Sequence, residues 1–491
     1  MLTTPIAAER TRVRFLPDSS RVLLRPFVPG VEARFVKIIR RVLQLPDAEV
    51  RRLLTEVLDE FAGRHLQTQR VLENNYQRVA RFVPRDAPPL DRGRQLLLGA
   101  YFTHEYALES AALFNPSIVA HPDQSGLPPG ALRFVMSLRA TGEGHISSIE
   151  FRGGVLTREN EIIIDPVNRF VSAPEILSDP TYDKPVFRRK LAEMGFQDSV
   201  RDILAPLAEV FTAHELNASL AAHRKRLGNR HGVNQRRTLE SVAWLARSNY
   251  ELQFQEDLPL SERIIFPVSD NESNGIEDAR FVRFVEDDGS VIYYATYTAY
   301  NGRVILPMLL RTPDFKSFKI NTLNGRAVQN KGMAMFPRRI NGHYAMISRQ
   351  DNENLFLMYS DHPYFWEDTI PLQQPAEPWE YIQLGNCGSP IETPEGWLLL
   401  THGVGAMRKY CIGAMLLDLQ DPSRVLGRLR QPLLKPNANE REGYVPNVVY
   451  TCGALVHEGR LIMPYAMSDS ASSVAIVQLD ELLAHLRADG P

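Results

Sequence analysis

One pattern limits what this chain can fold into: a hairpin-bearing unit recurs along it. Its anchors are Asn115-Pro116, Asp278-Ala279, Phe336-Pro337, Ser389-Pro390 and Pro446-Asn447. After each comes a short apolar strand, a turn rich in Gly, Asp or Asn, and an alternating strand. The second unit reads ArgPheValArgPhe, GluAspAspGlySer, ValIleTyrTyrAlaThrTyr; the fourth reads SerProIleGlu, ThrProGluGly, TrpLeuLeuLeuThrHis. A turn flanked by alternating hydrophobics is a hairpin signal. From the second unit onward the spacings are 58, 53 and 56 residues, and the first gap is 163, one unit plus an insertion. A four-stranded unit repeated at roughly 40–55 residues is the mark of a propeller blade. A tandem β-sandwich would account for the strands but not for the period. The expected fold is mainly β: a five-bladed β-propeller with an N-terminal helical region and a helical insertion.

The helical parts read from apolar spacing. Val31, Phe35, Ile38, Ile39 and Val42 share a helix face, and LeuProAsp at 45–47 ends that run. Val50, Leu53, Leu54, Val57, Leu58 and Phe61 form a second stripe, and a third stretch follows through Val71–Phe82. Pro84, Pro88 and Pro89 mark a linker. These observations predict an N-terminal helical region over 1–95 and a propeller domain over 96–491. Leu191, Met194, Val200, Ile203, Leu204 and Leu207 begin a helical insertion at about 186–250. Its basic cluster, 223–226 with Arg230 and His231, reads as a solvated face. The N-terminal stripes suit packing or assembly, so a homo-oligomer is expected.

Composition narrows the class. The chain has 491 residues, 44% hydrophobic and 23% charged, as globular proteins do. The formal charge of −2 disfavours a nucleic-acid binder that relies on bulk positive charge. Three cysteines, Cys387, Cys411 and Cys452, form no CxxC pair, which fits buried thiols in a reducing compartment rather than disulfides or structural zinc. The N-terminus has no apolar core of signal-peptide length, and no apolar run approaches the ~18 residues that span a bilayer. The expectation is a cytoplasmic protein with neither a nucleic-acid nor a membrane partner.

In a propeller, equivalent strand starts converge near the central channel. The polar residues at those positions are Asn115, Arg139, Glu277, Asp278, Arg280, Lys331, Arg349, His402, Tyr410 and Asp469. A carboxylic acid can protonate a leaving glycosidic oxygen, and Lys and Arg can hold phosphate. Each residue also has a plain structural reading. Asp278 could cap a turn or pair with Arg280; Lys331 and Arg349 could form rim ion pairs. His402 could be a core histidine, Tyr410 a blade aromatic and Asp469 a turn residue. Trp366 and Trp379 read as blade packing.

GlyIleGluAspAlaArg (275–280), the block from Lys331 to Arg349, ThrHisGlyVal (401–404), TyrCysIleGlyAlaMetLeuLeuAsp (410–418) and ValProAsnValValTyr (445–450) together resemble glycoside hydrolase family 130. These are inverting mannoside phosphorylases, with some hydrolases, on a five-bladed propeller. The helical additions resemble the longer members, some of which act on β-1,2-oligomannosides. The resemblance implies that Asp278 is the proton donor, in a Gly-x-Glu-Asp-Pro-Arg motif whose proline is Ala279 here. It implies phosphate binding by Lys331, Arg349, His402 and Tyr410, and mannose contacts by Asn115, Arg139 and Asp469.

The function so implied is phosphorolysis of a β-mannoside to α-mannose 1-phosphate and a shortened acceptor. Its partners are a mannose-containing oligosaccharide and phosphate. Inorganic phosphate is a co-substrate, and no cofactor or metal is called for. Two alternatives stand beside it. A β-mannoside hydrolase on the same fold would need a carboxylate base and no cationic cluster. A non-catalytic glycan-binding propeller would be indifferent to loss of Asp278.

Overall fold

The structure is a computed structural model that describes residues 6–227 and 233–491. It is mainly β, and its strands run in successive antiparallel meanders. Strands Ala112–Ala120, Leu132–Thr141 and Ser147–Leu156 lie side by side, edged by Ile162–Ile164. The meander Gly275–Val285, Val291–Tyr300, Ile305–Thr312 and Ser317–Thr322 follows. One parallel pair, Gly275 with Ser147, joins the two into a continuous sheet. Separate sheets then form from strands spanning 334–373 and 383–428. The last sheet holds Arg460–Met467 and Ala471–Gln478, and strand Glu9–Phe15 pairs with the latter. Inward-facing positions make apolar layers between neighbouring sheets; Val282, Phe284 and Tyr294 of one pack with Met335, Met346 and Trp366 of the next.

The expected N-terminal helices are present at Glu32–Leu43, Asp47–Phe61 and Thr68–Val79, and a further helix, Arg92–Tyr101, crosses residue 95. The wholly helical reading of this region needs correcting. Strands Glu9–Phe15 and Val22–Pro26 precede the helices and pair with Ala471–Gln478 and Thr103–Ala107. Glu9–Phe15 carries few apolar residues and Val22–Pro26 is short and does not alternate, so periodicity alone did not reveal them. Arg94 explains the tight turn between the first two helices. Its guanidinium donates to the carbonyls of Val42 (2.7 Å) and Leu45 (2.9 Å) and pairs with Asp47 (2.7 Å). The Val42 carbonyl also accepts from the Leu45 amide at 3.3 Å, so the guanidinium reinforces a helix end whose last carbonyls lack helical partners.

The second helical block holds Lys184–Glu193, Arg201–Leu204, Ala213–Leu227 and Val233–Ser248 around its own apolar cluster, including Leu191, Ile203, Phe211 and Val242. Arg224, Lys225 and Arg226 are exposed on the last turn of their helix. Arg230 and His231, expected in the same cluster, lie outside the described residues. Among the described residues no helix is long and apolar enough to cross a membrane.

A buried ion quartet fastens the N-terminal segment to the first meander. Arg21 contacts Glu109 and Glu150, each at 2.8 Å, and Arg152 contacts Glu109 at 2.7 Å and Glu150 at 3.1 Å. All four side chains are nearly inaccessible to water. Two guanidiniums against two carboxyls, of which burial and then the Glu150 charge push Glu109 up to about 8, make such burial tolerable, and removing one partner strands the others. Glu150→Gln should therefore destabilise the fold by ~3–5 kcal/mol. The urea unfolding midpoint checks this, and an unchanged midpoint would refute the clamp.

Candidate functional site

Two bulges build the centre of the site. Along one strand pair, Phe114 faces Arg139 and Ser117 faces Ser137, so Asn115 and Pro116 together oppose one residue. Along another, Glu277 faces Thr298 and Arg280 faces Thr296, so Asp278 and Ala279 do the same. Such bulges re-aim a side chain. Both Asn115 (φ 49°) and Asp278 (φ 55°) adopt the left-handed conformation, which Asn and Asp tolerate better than most residues. The result is direct contact across 163 residues: Asn115 Nδ2 donates to Asp278 Oδ1 at 2.7 Å. Ala279 holds the place in its bulge that Pro116 holds in the other.

The surrounding charges are distinct in role. Arg139 pairs with Glu277 (2.8 Å) and reaches Asp278 (3.3 Å) while stacking 5.0 Å over Phe114. Arg280 does not pair with the Asp278 carboxylate. It donates instead to the backbone carbonyls of Asp278 and Cys387 and to the Tyr450 hydroxyl, at 2.9, 2.9 and 2.8 Å. Lys331 lies 3.4 Å from Glu277. Arg349 donates to the Lys331 carbonyl (3.2 Å) and to Asn352 (3.3 Å). Gly332 between them has φ 95°, and a Cβ there would come within 2.6 Å of Arg349 Nε. Among the described residues, neither Arg280 nor Arg349 has a carboxylate within ion-pair distance, although both are almost fully buried.

His402 lies beneath, fully buried, with both ring nitrogens lacking a hydrogen-bond partner. Its ring is stacked parallel to Tyr410 at 5.9 Å and edge-on to Tyr450 at 5.0 Å. Burial, then the charges of Arg349 and Arg280, hold it well below the usual histidine range. It is therefore a neutral donor–acceptor and not a further cation. Burial pushes the Asp278 carboxyl up, but Arg139, Arg280, Lys331 and the Asn115 hydrogen bond outweigh it and leave the group well below the usual range. Asp469, half-buried and left-handed at φ 51°, behaves oppositely. Burial and then the Asp278 charge push it up to about 6, against Arg139, Lys331 and Arg408.

All eight residues singled out as site residues thus fall in one neighbourhood. Sequence reasoning missed Tyr450, whose hydroxyl completes the Arg280 shell, although it ends the quoted 445–450 motif. It also missed Asn386, fully buried with both amide atoms unpartnered, on the strand beside His402. The Cys387 contribution comes through its carbonyl, for which side-chain chemistry gives no signal; the thiols of all three cysteines are buried and free. Trp366 is buried in an apolar layer, and Trp379 covers Gly403 and Gly413. Among the described residues no group of three or more His, Cys, Asp or Glu is arranged to hold a metal.

The family profile described as β-1,4-mannooligosaccharide phosphorylase matches residues 251–488. A 1,2-β-oligomannan phosphorylase from Thermoanaerobacter sp. is 34% identical over 228 residues, 45% of this chain and 75% of that protein. The chain belongs to glycoside hydrolase family 130. A β-1,2-mannobiose phosphorylase of Listeria innocua is 31% identical over 46% of this chain and 64% of its own. A solved structure of the Listeria innocua β-1,2-mannobiose phosphorylase with β-1,2-mannobiose aligns over 78% of this chain and 93% of its own, at 22% identity and a TM-score of 0.46. The matched profile contains six of the eight residues and begins after Asn115 and Arg139, which contact Asp278 and Glu277 through the fold.

The opposite displacement of the two carboxyls is testable by ¹³C NMR. The Asp469 carboxyl should titrate near pH 6. Asp278→Asn, by removing a neighbouring negative charge, should lower that midpoint. A midpoint at the ordinary aspartate value in both proteins would refute the coupling.

Proposed function

We propose that this family 130 chain is an inverting β-mannoside phosphorylase. The observation that carries the reading is Arg349: a buried guanidinium with no carboxylate partner among the described residues, beside Lys331 and a neutral His402. Such a cation set calls for an anion from solution, and an arginine fork matches phosphate. Lys331, Arg349, His402 and Tyr410 hold phosphate. Asn115, Arg139 and Asp469 hold the mannosyl unit, and Asp278 moves the proton. Five successive meanders, with Glu9–Phe15 completing the last, support a five-bladed propeller as the frame.

A phosphate oxygen attacks the anomeric carbon from the face opposite the leaving oxygen. The carbon–oxygen bond to the acceptor breaks, and configuration inverts from β to α. Asp278 supplies a proton to the leaving oxygen, through a mannosyl hydroxyl in the manner the family implies. The resting cations keep Asp278 ionised. Bound phosphate offsets them and lets the carboxyl take up a proton. Hydrogen phosphate brings one proton and the leaving group takes one, so the cycle balances without an enzymic base. Products are α-mannose 1-phosphate and a shortened acceptor. The names of the two relatives above support a β-1,2 linkage. Location in the cytoplasm and a homo-oligomer belong to the same reading; the half-buried Leu53, Leu54, Val57 and Leu58 on helix Asp47–Phe61 support assembly.

Asp278→Asn should lower turnover at least ~10²-fold with the fold retained. Activity near the parent's would refute the assignment. Arg349→Ala should raise the KM for phosphate at least ~10-fold, as loss of a charge-assisted hydrogen bond implies, while the glycan KM changes little. Equal changes in both, or product formed with phosphate omitted, would refute phosphorolysis in favour of hydrolysis or a general structural role.

A further inference from the structure

A second set of donors faces a different cavity. It measures about 230 Å³ and opens between helix Lys184–Glu193 and the strands Ile305–Thr312 and Ser317–Thr322. Lys190, Asn321, Arg311 and Lys319 line it. Lys190 is fully buried, and its Nζ donates to two neutral acceptors, Asn249 Oδ1 and the Thr322 carbonyl, both at 2.9 Å. The nearby Glu193 is engaged by Arg189 at 3.6 Å. Without a close counter-charge, burial pulls the Lys190 amine down to about 7.

Asn321 is 8% exposed, and its Nδ2 is buried with no acceptor. Arg311 is exposed and has no ion pair among the described residues. Lys319 is already paired with Glu251 at 2.9 Å. Among the described residues one carboxylate lines it, Asp183, which accepts from the Val186 amide at the start of the helix. The cavity therefore presents donors from a helix and two strands, three basic side chains against one lining carboxylate, and a buried amide hydrogen with no acceptor among the described residues. A neutral ligand would leave the charge uncompensated, and a cation would be repelled.

We propose that this cavity is a binding site for a phosphate-bearing anion, separate from the Asp278 centre and held by Lys190, Asn321 and Arg311. The shared chemistry is a phosphate group, free or as a small phosphomonoester. The test is isothermal titration of the full chain. Inorganic phosphate should bind with two equivalents per chain. Arg311→Gln, a surface change that does not threaten folding, and Asn321→Leu should each remove one equivalent and leave kcat and the KM for phosphate within 2-fold of the parent. Glucose 6-phosphate competing for that equivalent identifies the monoester as the ligand class; failure to compete identifies the free ion. A single equivalent in the parent, lost in Arg349→Ala, would overturn the proposal while leaving phosphorolysis intact. Two equivalents that both survive Arg311→Gln and Asn321→Leu would overturn it as well.

Discussion

Arg280 is the side chain on which the centre of this molecule turns. Its three donating nitrogens reach the Asp278 carbonyl and the Tyr450 hydroxyl, which belong to two different sheets, and the Cys387 carbonyl, just past the end of a strand of a third. A buried guanidinium is tolerable only when its hydrogens are met, and here neutral oxygens meet them. The charge itself has no carboxylate within ion-pair distance among the described residues, and it acts on the Asp278 carboxylate from farther away. Arg349 adds a second buried charge of the same kind. The interior is therefore fixed at positive potential before any ligand arrives. That potential keeps Asp278 ionised and His402 neutral. Preorganised charge of this kind is the form in which protein sites stabilise developing negative charge.

The bulges translate that potential into geometry. Asn115 and Asp278 both hold left-handed backbone where a regular strand would not, and strained residues of this sort collect at functional sites. Close backbone approach keeps the arrangement rigid. Gly385 leaves room for the His402 ring, where a Cβ would come within 2.3 Å of it, and Gly388 abuts the Cys452 carbonyl. Glu277 serves a different purpose from its neighbour. Arg139 and Lys331 both claim it, so it spaces two cations and leaves the Asp278 carboxylate to Asn115 and Arg139.

Much of this was legible beforehand. Period and hairpin chemistry marked the meanders, and 3.6-residue spacing marked helices 32–43 and 47–61. Strand Glu9–Phe15 was not legible, because ArgThrArgValArg carries its strand character in a partner, Ala471–Gln478, more than 450 residues away. Asn386 and the Cys387 carbonyl were not legible either. An amide or a backbone oxygen announces nothing until a guanidinium or an empty space is placed beside it.

By itself the sequence determined the local elements and the residue types available for chemistry, because spacing, turn residues and charge act over a few positions. It also carried the motifs that align with family 130. The tertiary structure decided which charges meet. Arg349 could form a rim ion pair in a local reading; in space it is buried, with no carboxylate within ion-pair distance among the described residues. Asp278 and Asp469 are the same residue type, but Arg139, Arg280, Lys331 and the Asn115 hydrogen bond drive the first down against its burial, while burial and the Asp278 charge drive the second up. Electrostatic work depends on separation and burial in space, and neither is written in chain order.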